Sequence, residues 1–126
     1  RSNASLGNIV DVKTTIGERG SIGVGIVHHI AWRAEDDQDL LDWQKHLSEN
    51  GFGVTPVKDR NYFNSVYFRE HGSILFEMAT DPPGFAIDEP KETLGEELKL
   101  PPQYETYREQ LNEQLIPIEV RELDNN

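Results

Sequence analysis

The chain has 126 residues, of which 36% are hydrophobic, and its 23 acidic and 12 basic side chains give a net charge of −11. This length predicts a single domain with one modest core, and the acidic charge disfavours nucleic acid and anionic membrane surfaces as partners. The absence of cysteine excludes disulfides, thiolate metal sites and a cysteine nucleophile, and with no apolar run near the roughly 20 residues that a membrane span needs, we expect a cytoplasmic protein.

The first 21 residues are interpreted as a tag remnant and a linker. Residues 1–4 read Arg-Ser-Asn-Ala, which resembles the remainder of a cleaved expression tag. Glycines then interrupt a mixed, polar stretch that continues to residue 21. We therefore expect the chain to be a fragment of a longer protein, with a folded module at residues 22–86 and a tail at residues 87–126.

A strand and a helix open the module. The strand is predicted at about residues 24–33. Asp36 or Asp37 is expected to cap the helix, because a carboxylate suits the free N–H groups and the positive end of the helix dipole. Gly51 is expected to end the helix. Its apolar stripe consists of residues spaced three and four apart: Leu40, Trp43 and Leu47.

Three further strands are predicted after the helix. Residues 52–54 form a short edge strand, since a proline follows at position 56. Residues 62–69 alternate between aromatic and polar groups, and His71-Gly72 supplies a tight turn into a strand at residues 73–79. The element order predicts an α+β fold made of a single βαβββ module.

The tail is expected to be a surface element. Residues 88–97 are acidic, and a helix is predicted from about Pro102 to Leu115, where Pro117 ends it. No phosphate-binding loop, dinucleotide fingerprint or serine-type triad is present, so no site for an organic cofactor is assigned.

Two histidines stand side by side in the first predicted strand. Side chains alternate along a strand, so His28 and His29 are expected to point to opposite faces. His28 would share the face that packs on the helix, and His29 the more open face, where small neighbours leave room for a metal. The alternative is that one histidine is a hydrogen-bonded core residue and the other is exposed.

Glu77 is an ionisable residue in an otherwise apolar strand. A carboxylate is costly to bury unless it is paired or bound to a metal, and imidazole together with carboxylate suits divalent metals. Leu75 and Ala79 are expected on its face, and Phe76 on the other. The alternative is that Glu77 faces solvent.

Two more residues are candidate helpers of a reaction. Tyr67, which shares a face with Ser65 and Arg69, would donate a hydrogen bond or move a proton. Arg60 would stabilise a developing negative charge. Alternatively, each is an ordinary surface residue. No role is given to the histidines expected at the surface, His46 and His71, or to the tryptophans expected in the core, Trp32 and Trp43.

The element order, with a histidine on the first strand and a glutamate on the last, resembles one module of the vicinal oxygen chelate superfamily. This superfamily includes glyoxalase I, bleomycin-resistance proteins and extradiol dioxygenases. Residues 27–32 (Val-His-His-Ile-Ala-Trp), 62–70 and 75–85 are similar to the C-terminal module of bacterial ring-cleaving dioxygenases of the hydroquinone type, and Leu100-Pro101-Pro102 extends the likeness. The turn departs from the family pattern, with His71-Gly72-Ser73 where Pro-Gly-Gly is expected.

The resemblance implies a metal site shared between two modules. Fe(II), or Mn(II), which accepts the same ligands, would be held by His29 and Glu77 of this module and by one histidine of an N-terminal module. His28, Arg60 and Tyr67 would be the catalytic residues around it. The implied substrates are an aromatic diol and dioxygen, and we expect the isolated chain to be inactive.

Two other functions remain open at this point. The chain would be a single-module, metal-dependent lyase or isomerase of the glyoxalase type if a second copy completed the site in a homodimer. It would be a metal-free binding protein of the resistance type if it only sequestered an aromatic ligand.

Overall fold

The computed structural model describes residues 9–11, 17 and 21–117. Most of the predicted tag remnant and linker, and the end of the tail beyond residue 117, lie outside the described residues.

Four strands form one mixed sheet. They are β1 (Ile30–Arg33), β2 (Lys58–Asp59), β3 (Asn64–Arg69) and β4 (Leu75–Ala79). Their order across the sheet is β1-β4-β3-β2, with β1 parallel to β4 and the other two pairs antiparallel. Parallel strands need a crossover connection, and the helix after β1 provides part of it. The predicted βαβββ order is therefore confirmed.

The helix, α1 (Asp37–Glu49), begins and ends where the sequence predicts. The Asp36 side chain accepts a hydrogen bond of 2.8 Å from the backbone N–H of Asp39, which satisfies one of the free donors of the first turn. Gly51 follows the helix with φ of 84°, a left-handed conformation that favours glycine.

The core lies between α1 and one face of the sheet. Leu40 and Leu47 of the helix pack with apolar side chains of the strands, namely Val66, Phe68, Met78 and, at the rim, Trp32 and Phe76. Trp43 is 41% exposed, so its prediction as a core residue is wrong. It lies next to Asp42 on the outer side of the helix, where its ring contacts the exposed His46.

The first strand is shorter than predicted. Gly25 turns the chain with a positive φ, and β1 begins only at Ile30. Ile30 pairs with Phe76, close to the start of β4. β4 extends only one residue beyond Phe76, to Leu75. The segment before β1 therefore has no strand among the described residues with which to pair.

The second strand is not where the sequence predicts. Phe52 and Val54 pack against the core instead of joining the sheet. The strand that pairs with β3 is Lys58–Asp59. A partner this short carries no alternation that a sequence pattern would reveal.

The tail contains three short 3₁₀ segments, Phe85–Ile87, Lys91–Thr93 and Pro102–Tyr107, and a helix α2, Arg108–Gln114. The predicted helix is thus 3₁₀ in its first half. None of these segments contains a buried residue. Among the described residues, no helix is long and apolar enough to cross a membrane.

Candidate metal centre

Glu77 lies in the middle of the sheet, on the face that α1 does not cover. It pairs with Ala31 of β1 and with Tyr67 of β3. The residue is only 2% exposed. Its Oε2 lies 2.8 Å from Nε2 of His29, whereas Oε1 is buried without a hydrogen-bond partner. A buried carboxylate oxygen without a hydrogen bond is costly. The Tyr67 phenol interacts with the Glu77 carboxylate but does not complete a hydrogen bond to Oε1, so this oxygen can still accept a further partner.

The two histidines contact each other, contrary to the prediction that they point to opposite faces. Their Nδ1 atoms are 2.8 Å apart, and the ring planes are nearly perpendicular. Strand alternation does not apply to His28 and His29, because both precede the first residue of β1. His29 is half-buried beside Glu77, while His28 is exposed.

The contacts give a direction for the protons when Glu77 is assigned as ionised and both imidazoles as neutral. An ionised carboxylate only accepts hydrogen bonds, so Nε2–H of His29 donates to Glu77. In a neutral imidazole the other nitrogen is then an acceptor. Nδ1 of His29 therefore accepts from Nδ1–H of His28, and the three side chains form one hydrogen-bonded chain.

Tyr67 forms the neighbouring wall of this site. Its ring centroid lies 5.9 Å from that of His29, in an edge-on arrangement. Burial raises the pKa of the Tyr67 phenol, and the adjacent Glu77 carboxylate raises it further, although Ser65 and the positive charge of Arg60 act in the opposite direction. The phenol thus keeps its proton at neutral pH and is a hydrogen-bond donor.

Two further side chains, Arg60 and Ser65, act on the Tyr67 phenol, and the sequence analysis gave Ser65 no role. Arg60 is exposed in the loop between β2 and β3, where its backbone N–H donates to Phe63. Ser65 is fully buried. Its hydroxyl is close enough to the Tyr67 phenol to lower the pKa of that group, but its Oγ does not complete a hydrogen bond with any described residue. The sequence could have indicated a role for Ser65, because it lies two residues before Tyr67 and alternate residues of a strand share a face.

The donor set fits part of a metal site. His29 and Glu77 offer an imidazole nitrogen and carboxylate oxygens within contact of one another, and one of those oxygens is without a partner. These atom types suit Fe(II), Mn(II) and Zn(II). No group of three or more His, Cys, Asp or Glu side chains able to hold a metal occurs within the described ranges. The described chain therefore offers two candidate ligands.

Comparison with known proteins identifies the family of this chain. The sequence profile of the Glyoxalase/Bleomycin resistance protein/Dioxygenase superfamily matches residues 3–88. The chain belongs to this superfamily. The expected resemblance is therefore confirmed at the level of the family, along with the fold.

Two of the relatives are named as dioxygenases. The chain is 63% identical over 124 residues to "Putative ring-cleaving dioxygenase MhqO" of Bacillus subtilis, a match that covers 98% of this chain and 40% of that protein. It is 38% identical to "Chlorohydroquinone/hydroquinone 1,2-dioxygenase" of Sphingobium indicum, over 86% of this chain and 35% of the relative.

A solved structure agrees with the fold. The crystal structure of a "putative dioxygenase" from Bacillus subtilis matches with a TM-score of 0.90 and 63% identity, over 98% of this chain and 40% of that one. The chain thus spans about two fifths of the length of the relatives that it matches.

Proposed function

We propose that this chain is the C-terminal module of a non-haem Fe(II) ring-cleaving dioxygenase that acts on hydroquinone or catechol-like aromatics. The observation that carries the proposal is the contact between His29 and the buried Glu77, one of whose oxygens has no hydrogen-bond partner in the part of the chain that the structure describes. The names of the relatives support ring cleavage as the reaction. The lack of cysteine suits the reducing cytoplasm, where we propose that the protein acts.

His29 and Glu77 would hold the metal. When bound, Fe(II) would act as a Lewis acid that lowers the pKa of the diol and would bring the diol together with dioxygen. His29 would ligate through Nε2, so its remaining proton would move to Nδ1. That N–H would donate to Nδ1 of His28, which reverses the direction of the hydrogen bond in the metal-free chain and leaves His28 to orient the ligand ring.

Tyr67 and Arg60 would act on the substrate. Because the pKa of Tyr67 is raised, its hydroxyl is protonated at neutral pH and would donate a hydrogen bond to an oxygen bound in front of Glu77. Arg60 would offset the negative charge of the ionised diol. Both residues border the same face as the proposed ligands.

The third protein ligand has two candidate sources. The relatives are much longer than this chain, and an N-terminal module would supply a histidine within one polypeptide. The alternative is a second copy of the chain, which would bring two histidines and two glutamates together, as in a glyoxalase-type homodimer. The sheet face around Glu77, which lies opposite α1, suits either arrangement, and we expect the isolated monomer to be inactive as a dioxygenase.

The test measures metal content after anaerobic loading with Fe(II) or Mn(II). We expect His29→Ala and Glu77→Ala to abolish binding and the control His46→Ala, on the outer side of α1, to leave it unchanged. Oxygen uptake with hydroquinone is expected to be absent. Sedimentation of the loaded chain distinguishes a monomer from a homodimer. Metal content that is the same in both variants as in the unchanged chain would overturn the ligand assignment. No metal binding by the unchanged chain would also overturn it and would favour the metal-free binding protein.

A further inference from the structure

A cavity of about 650 Å³ lies beside the histidines, between the segment before β1 and the β3–β4 hairpin. Most of its wall is apolar, formed by Ile22, Ile26, Val27, Ile74 and Leu75. His28, which contacts His29, and Arg69 provide polar atoms. A volume of this size suits a small ligand, and apolar walls with a few polar groups are typical of ligand pockets.

Arg69 lies on the same sheet face as Glu77. It pairs with Leu75, while Tyr67 pairs with Glu77, so the two pairs are one step of the pleat apart, roughly 7 Å along the strands. A second cavity, of about 350 Å³, has both Arg69 and Tyr67 in its wall. The guanidinium lies at the turn of the hairpin, where it contacts Ser73, on the face that also carries Tyr67 and Glu77.

The charge of Arg69 has no carboxylate partner among the described residues, although the chain as a whole is strongly acidic. Its Nη1 donates to the backbone carbonyl of Ser73 at 2.7 Å, which steadies the side chain. The neighbouring Glu70 directs both carboxylate oxygens to backbone N–H groups of the turn. Arg33, by contrast, is paired with Asp81.

We propose that Arg69 binds a carboxylate carried as a ring substituent by the aromatic diol. Guanidinium has five N–H donors in a planar fork that matches a carboxylate. The ring would lie against Leu75 and Ile74, with its diol oxygens towards Glu77 and its substituent towards the hairpin. This inference rests on the proposed function, because it places the diol at the candidate metal ligands.

The experiment compares binding of three probes to the full chain by titration calorimetry and by the NMR signal of the Arg69 side-chain N–H. The probes are hydroquinone, 2,5-dihydroxybenzoate, which adds one carboxylate, and benzoate, which lacks the diol. We expect 2,5-dihydroxybenzoate to bind at least about tenfold more tightly than hydroquinone, and both carboxylates to shift the Arg69 signal.

Two variants give the matched comparison. Arg69→Gln should abolish the preference for the carboxylate. Arg33→Gln should retain it, because Arg33 is on the same face but pairs with Ala79, at the opposite end of β4 from Leu75. Equal affinity for the two diols, no binding of either at about millimolar concentration, or a preference that survives Arg69→Gln would each overturn the proposal.

The outcome is separable from that of the proposed function. If Glu77→Ala leaves metal content unchanged but benzoate still shifts Arg69, the metal assignment fails and the carboxylate site stands. If metal binding depends on Glu77 but the carboxylate probes do not shift the Arg69 signal, only the proposed carboxylate site is refuted.

Discussion

At the scale of single residues, the candidate metal site depends on one buried carboxylate, that of Glu77. Glu77 is 2% exposed. Among the described residues, His29 is the only cation-forming side chain that contacts it, and none completes a hydrogen bond to Oε1. Burying such a charge costs free energy unless an ion or further hydrogen bonds compensate. We therefore expect the metal-free module to be less stable than its packing alone would make it.

Replacing Glu77 by glutamine tests this cost. Glu77→Gln keeps an oxygen that accepts from His29 and removes the buried charge, so we expect the free energy of unfolding without metal to stay equal or rise by about 1 kcal/mol. Stabilisation by added Mn(II) should disappear. Urea unfolding with and without Mn(II) measures both effects.

The matched control for this variant is Glu49→Gln, which changes an exposed carboxylate paired with Lys45 and should alter neither quantity by more than a few tenths of a kcal/mol. A loss of more than about 1 kcal/mol in metal-free Glu77→Gln would contradict the prediction. Glu77 would then be a structural partner of His29 rather than a ligand awaiting a metal.

At the scale of elements, the β3–β4 hairpin pairs Tyr67 with Glu77. The turn between the two strands therefore helps to keep these side chains in position. The Glu70 carboxylate accepts hydrogen bonds from the backbone N–H groups of Gly72 and Ile74, at 2.7 and 2.8 Å. These bonds lower the pKa of Glu70 below its ordinary value, the bond from Gly72 having the larger effect.

The sign of the pH dependence follows from that lowered pKa. The folded chain binds this proton less readily than the unfolded chain, so the stabilisation is present above the ordinary pKa of 4.5 and is lost as the pH falls through the folded value. We expect Glu70→Gln to reduce the free energy of unfolding at neutral pH by about 1 kcal/mol. The difference from the unchanged chain should shrink below about pH 4.

Urea unfolding of both chains at several pH values provides the measurement for Glu70. Glu49→Gln serves again as the comparison, because its carboxylate caps no turn. A deficit in Glu70→Gln that is the same in acid as at neutral pH would mean that the turn depends on the side chain's shape and not on its charge.

The start of α1 offers a second test at this scale. Asp36→Ala removes the acceptor for the N–H of Asp39 and should cost about 1 kcal/mol of stability, while Asp36→Asn should cost only a few tenths. Thermal and urea unfolding give the values. Equal losses in the two variants would show that charge, and not the capping hydrogen bond, is what α1 requires.

Across the whole molecule, the module and the tail differ in how they are held. The sheet and α1 share a core, whereas no residue of the tail's short helices is buried. Apolar tail side chains such as Leu94, Tyr104, Tyr107 and Ile116 are exposed. The structural match with the longer relative covers 98% of this chain and so includes the tail.

Hydrogen exchange distinguishes these two regions in the isolated chain. Amides of β3 and β4 should be protected to nearly the full stability of the module, since they lie in its central strands. Amides of residues 88–117 should exchange faster by several orders of magnitude, because burial does not hold that backbone. Mass spectrometry of exchanged peptides measures the contrast, and equal protection in both regions would refute it.

The sequence predicts those features that depend on a local pattern. The cap at Asp36, the end of α1 at Gly51 and the face of β4 that carries Glu77 all follow from spacing and residue type. The contact between His28 and His29 does not, because it depends on where β1 begins. That position is set by the length of β4, a strand far along the chain. The role proposed for Arg69 likewise depends on a cavity between distant segments.

The parallel pairing of β1 with β4 also sets the order in which the site is assembled. The β3–β4 hairpin closes a short loop, whereas Ile30 meets Phe76 only after nearly the whole module has been synthesised. Long loops cost more entropy to close and slow the formation of distant contacts. We expect the two candidate ligands to meet in a late step of refolding, so stopped-flow measurements should detect Mn(II) binding only in the slowest phase.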